Sequence, residues 1–169
     1  MSGEIINRVA NSKLITLDLE DYYPSGDRVV LDISTWLFQG FILKEKDFRE
    51  SVDQHDWSQY QDKYVAIICS TDAIIPSWAY LLISTSLSPY AAKFVIGDLE
   101  LLENAIFQDI IANISLDPFK DAPVIIKGCS DKNIPDSAYA YLTQRLVSVV
   151  RSLMFGEACS SVPLYKKKK

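Results

Sequence analysis

The feature that most constrains this chain is an internal repeat with a period of 59 residues. Laid without gaps, residues 60–97 run over residues 119–156, so that Asp62 meets Asp121, Val65 meets Val124 and Ile67 meets Ile126. Asp72 then meets Asp131, Ile75 meets Ile134, Pro76 meets Pro135, Ala79 meets Ala138 and Tyr80 meets Tyr139. Leu87 falls on Leu146 and Gly97 on Gly156. Cys69-Ser70 and Cys129-Ser130 are one position out of this frame, so superposing them takes a single-residue slip near a loop. Two copies of so long a unit do not make a solenoid. At 169 residues the chain reads as one domain, residues 1–169, built from two similar halves.

Each half reads as strand, loop, helix, strand. Residues 64–69 and 123–127 are short Val/Ile runs without alternation, the pattern of strands buried on both faces of a parallel sheet. Pro76 and Pro135 suit the start of a helix, where a missing N–H costs nothing. Helices are expected over 76–88 and 135–150, and returning strands over 93–96 and 151–155, closed by Gly97-Asp98 and Gly156-Glu157. Between the halves, Asp98 can cap a helix over 99–114 with Leu99, Leu102, Ile106 and Ile110 along one stripe. Upstream, 28–33 reads as a buried strand, 44–55 as a polar helix and 13–19 as an edge strand. The expected fold is α/β: a mostly parallel sheet of about five or six strands, helices on both faces, and two similar βαβ halves.

Composition excludes several functions. Apolar residues make up 49% and charged residues 23%, normal for a chain that buries a core. Residues 73–92 are uncharged, but two prolines and seven hydroxyls argue against a membrane helix. Met1-Ser2-Gly3-Glu4 has neither the basic nor the apolar run of a secretory leader, so a cytosolic protein is expected. Of 17 basic residues four are the run 166–169, against 22 acidic residues, which leaves a strongly acidic body that repels nucleic acid. Residues 164–169 are expected to be a flexible basic tail. No GxGxxG or phosphate-loop pattern occurs.

Cys69, Cys129 and Cys159 are an odd number in an expected cytosolic chain, so a disulfide framework is not indicated. Parallel strands would bring all three to the carboxyl edge of the sheet, where open α/β sheets bind ligands. Three soft ligands on three loops suit zinc or an iron–sulfur cluster. No CxxC pair occurs, and Cys69 after Val-Ala-Ile-Ile has the setting of a packed thiol. His55, the one imidazole, precedes the strand ending at Cys69 and should lie at the opposite edge. A carboxylate, solvent or a partner's side chain is the better fourth ligand. The same distance leaves no imidazole for a Cys–His or Ser–His–Asp nucleophile. Ser70 and Ser130 more often satisfy turn backbone than bind an anion.

Three segments carry a resemblance: Asp56-Trp57-Ser58-Gln59-Tyr60, Cys69-Ser70-Thr71-Asp72-Ala73-Ile74-Ile75-Pro76-Ser77-Trp78-Ala79-Tyr80 and Gly156-Glu157-Ala158-Cys159-Ser160-Ser161-Val162-Pro163. With Leu43-Lys44-Glu45-Lys46-Asp47-Phe48-Arg49 and the lysine end, the chain resembles along its whole length an uncharacterised bacterial family, domain of unknown function 2480. The resemblance transfers no catalytic residue. It implies company: such genes often lie near iron–sulfur assembly genes, which makes iron–sulfur assembly proteins the expected partners.

Three readings stay open at this point. The leading one is a cytosolic metal- or iron–sulfur-binding accessory protein with Cys69, Cys129 and Cys159 as ligands. A second is a non-catalytic binding or scaffold module, a homodimer, whose cysteines only pack. The third is a thiol-redox enzyme in which Cys159 attacks and another cysteine resolves.

Overall fold

The computed structural model describes residues 14–128, 131–157 and 160–168. The elements follow the order β1 (Ile15–Leu17), β2 (Arg28–Asp32), α1 (Glu45–Gln54), β3 (Tyr64–Ile68), α2 (Ser77–Leu87), β4 (Lys93–Ile96) and α3 (Leu99–Asn113). Then come β5 (Pro123–Ile126), α4 (Asp136–Val147), β6 (Ser152–Glu157) and β7 (Ser160–Lys166), with short 3-10 turns between. The fold is α/β, as the Val/Ile runs and helical stripes require. By its contacts the chain divides into two compact units, a continuous one of residues 24–106 and a split one of residues 1–23 and 107–169.

The continuous unit holds a three-stranded sheet in the order β2-β3-β4, parallel throughout. Central β3 is buried on both faces: Val65 and Ala66 are fully covered and Ile67 nearly so. α1 contributes Phe48 and Val52, and α2 contributes Ala79, Ile83 and Leu87, to one cluster with Leu31, Ile33, Val65 and Ile67. Those helical positions recur at intervals of three or four residues, which puts them on one face.

The split unit has a four-stranded sheet in the order β1-β5-β6-β7, with β7 antiparallel to β6 and the rest parallel. Its core joins Leu17, Phe107, Ile111, Val124, Ile126, Ala138, Leu142, Leu146 and Leu153.

The two units repeat one another in detail. β3 and β5, α2 and α4, and β4 and β6 each begin 59 residues apart. Asp62 and Asp121 both take the left-handed conformation, at φ +58° and +52°, and their N–H groups donate to Tyr90 and Val149 carbonyls at 2.9 Å each. Pro76 and Pro135 precede their helices at the same φ of −68°. The correspondence also reaches upstream of residue 60. Phe48 and Phe107, and Val52 and Ile111, are buried pairs at the same spacing.

Three particulars differ from expectation. Among the described residues the strands number seven and form two sheets rather than one, because β1 pairs with β5 while β2 pairs with β3. Hydrophobic runs specify strands, not their neighbours. Residues 164–166 are not a free tail: they end β7, where Tyr165 packs on the core and Lys167 donates its N–H to the Arg151 carbonyl. Pro163 is tolerated there because β7 is an edge strand of this sheet. In α3 the buried stripe is Leu102, Ile106, Phe107 and Ile111, while Leu99 is exposed.

Candidate functional site

Parallel pairing puts the carboxyl ends of β2, β3 and β4 at one edge of the continuous unit. β2 ends at Asp32, whose Oδ1 accepts the Ser34 N–H at 3.0 Å and the Ser70 N–H at 3.1 Å. The Ser34 and Ser70 hydroxyls lie 3.1 Å apart. Burial pulls the Asp32 pKa upward, but the hydrogen bonds from Ser70 and Ser34 outweigh it and hold the carboxyl at about 2. A carboxylate so stabilised is a structural anion and not a proton acceptor near neutral pH.

Cys69 follows β3 directly and is a free, half-buried thiol. Its Sγ donates to the Thr71 carbonyl at 3.5 Å and lies 3.5 Å from the Thr71 hydroxyl. That hydroxyl donates in turn to the Gly40 carbonyl at 2.6 Å. Burial first, and the electrostatic influence of the neighbouring Cys69 second, push the Tyr80 phenol above its ordinary value.

The split unit has the same edge, differently furnished. Asp18 stands where Asp32 does, accepting the Glu20 N–H at 2.9 Å through Oδ1. Its Oδ2 accepts from the Lys127 ammonium at 2.6 Å. That hydrogen bond, with charge from Glu20 and Glu157, raises the Lys127 pKa. Glu20 Oε1 also accepts the backbone N–H groups of Asp131 and Lys132. Asp18 and Asp32 escape notice in a repeat of 59 residues, yet a signal exists: Leu17-Asp18-Leu19 and Leu31-Asp32-Ile33 are fourteen residues apart.

Gly128 and Gly156 meet at this edge. A side-chain carbon on Gly128 would lie 2.9 Å from the Phe155 ring and 3.4 Å from Gly156 Cα. Gly156 holds φ at +121°, and a carbon there would lie 2.6 Å from the Ser160 carbonyl oxygen. The backbone at Gly156 requires glycine, and a side chain at Gly128 would have to displace the Phe155 ring.

Of the residues expected to form a site, Cys69 is placed as described, while Cys129 and Cys159 lie outside the described residues. Among the described residues no group of three His, Cys, Asp or Glu side chains could hold a metal ion. His55 sits with Trp36, Trp57 and Tyr60, ahead of the amino end of β3. Among the described residues no helix is long and apolar enough to cross a membrane.

Fold and edges together define a two-unit α/β protein with mostly parallel sheets and polar clusters at the carboxyl ends of their parallel strands. The chain belongs to the family described as Protein of unknown function (DUF2480), which it matches over residues 3–167. No curated protein and no solved structure matches it.

Proposed function

We propose that the chain is a cytoplasmic metal- or iron–sulfur-binding accessory protein whose ligands are Cys69, Cys129 and Cys159. The observation that carries this reading is the approach of Gly128 to Gly156. Gly128 immediately precedes Cys129 in the sequence, and Cys159 follows Gly156 by three residues, so each cysteine is a close sequence neighbour of one of the two glycines. Cys69 occupies the matching place after β3. Thiolates suit zinc or iron, and three of them leave one position for a carboxylate, solvent or an incoming ligand. Asp18, Glu20, Asp131 and Glu157 favour a cation at this edge, and Lys127 offsets part of their charge. Metal content of protein purified without oxygen or chelator, wild type against Cys159→Ala, tests the reading. Near-stoichiometric zinc or iron, lost in the variant, is the expected result.

A second reading is favoured by exposed apolar side chains. Phe41 and Ile42 at a hairpin tip and Ile74 in the loop after Cys69 are 60%, 52% and 94% exposed. The hydrogen bond from Thr71 to Gly40 joins the two loops. On this reading the edge is a protein-binding surface and the cysteines only pack. Metal-free protein of both kinds, with failed zinc and iron reconstitution, would favour it.

A further inference from the structure

We infer that His55 is a pH-sensitive latch in the continuous unit: its neutral imidazole holds the turn Trp57–Tyr60 against the end of α1, and protonation releases that turn. The Gln59 amide fixes the tautomer of the ring. Its nitrogen donates to the Asp56 carbonyl at 2.7 Å, which decides which end of the amide is the NH2. The same nitrogen lies 3.3 Å from His55 Nε2. An amide NH2 can only donate, so Nε2 carries a lone pair and the ring proton belongs on Nδ1. The Tyr60 hydroxyl also reaches Nε2, at 3.0 Å.

Aromatic rings close round the imidazole. Trp36 and Trp57 lie edge-on with centroids 5.1 and 4.8 Å away, and Tyr60 stacks at 5.7 Å. The Trp57 indole N–H donates to the Val52 carbonyl of α1 at 2.9 Å, so the turn and the helix end also meet beside His55. The turn before α1 presents the uncharged Trp36, and residues 57–60 present Trp57, Gln59 and the Tyr60 phenol. Burial pushes the Tyr60 phenol up, so it stays neutral in acid. The charge acting on the ring is Asp56, whose pull upward is smaller than the downward effect of burial.

A proton added at Nε2 would face the Gln59 NH2, donor against donor, and the Tyr60 hydroxyl would have to turn from donating to accepting. The folded imidazole therefore binds a proton less readily than the unfolded one, whose ordinary value is 6.5. The latch is intact above that value and is lost as pH falls through the lower folded value.

With one histidine in the chain, one imidazole signal reports the state of the latch. NMR of that signal and tryptophan fluorescence are followed against pH on the full chain, wild type and Gln59→Glu. The expected result is an imidazole midpoint below 6.5 with a fluorescence change that tracks it. In Gln59→Glu, where an acceptor replaces the donor, both midpoints move up, by about tenfold or more in proton affinity. A wild-type midpoint at or above 6.5, fluorescence that does not follow it, or an unmoved midpoint in Gln59→Glu would overturn the inference.

Discussion

The Asp32 carboxylate ties the end of β2 to the loop after β3, accepting the Ser70 N–H at 3.1 Å while capping the next turn through Ser34 at 3.0 Å. Replacing it by alanine strands two backbone donors and should cost about 1–2 kcal/mol at neutral pH. Because the folded pKa is about 2 against 3.8, the contribution of the charge is present above 3.8 and falls away toward 2. Urea unfolding of wild type and Asp32→Ala at a series of pH values checks this. The difference between them should shrink on acidification; a difference independent of pH would contradict the assignment.

Phe48 and Phe107 are fully buried at equivalent places, one in each unit's core. Truncation of either to alanine should cost about 3–5 kcal/mol, since each leaves an aromatic-sized void. Denaturant unfolding of the two variants should give losses of similar size. One large loss and one small would contradict equivalent roles in the two units.

Arg28 donates from Nε to Glu103 at 2.6 Å, and the two side chains are only 15% and 7% exposed. The Arg28 Nη1 also holds the Pro24 and Gly26 carbonyls at 3.0 and 2.7 Å, which ties the turn before β2 to the pair. Glu103→Ala leaves a charge in a poorly solvated place and should cost about 3–5 kcal/mol. Adding Arg28→Met should recover part of that loss. A single-variant loss below about 1 kcal/mol, the range of exposed pairs, would contradict a buried role.

Much of this architecture was legible in the chain. β4 was read over its observed span, and β3 and β5 to within a residue, because an uninterrupted Val/Ile run bounded by Asp and Cys or Lys has few alternatives. Prolines 76 and 135 marked the starts of α2 and α4. Strand partnership was not legible, since a run such as Ile15–Leu17 pairs equally well with any buried neighbour; that it joins β5 is a long-range choice. β7 was missed because Pro163 and the following lysines look like a tail, and only the partnership with β6 makes them a strand. The edge at Cys69 could be placed from the repeat alone. Its anchors, Asp18 and Asp32, could not, because they stand at the ends of β1 and β2, upstream of the repeated segments.

The proposed function requires the cysteines to hold a metal. It is tested most directly by elemental analysis and a visible spectrum of anaerobically purified protein, comparing wild type with Cys69→Ala, Cys129→Ala and Cys159→Ala. The expected result is near-stoichiometric zinc, or iron with visible thiolate absorption, in the wild type and its loss in each variant. Colourless, metal-free wild type that also fails to take up zinc or iron on reconstitution would contradict it.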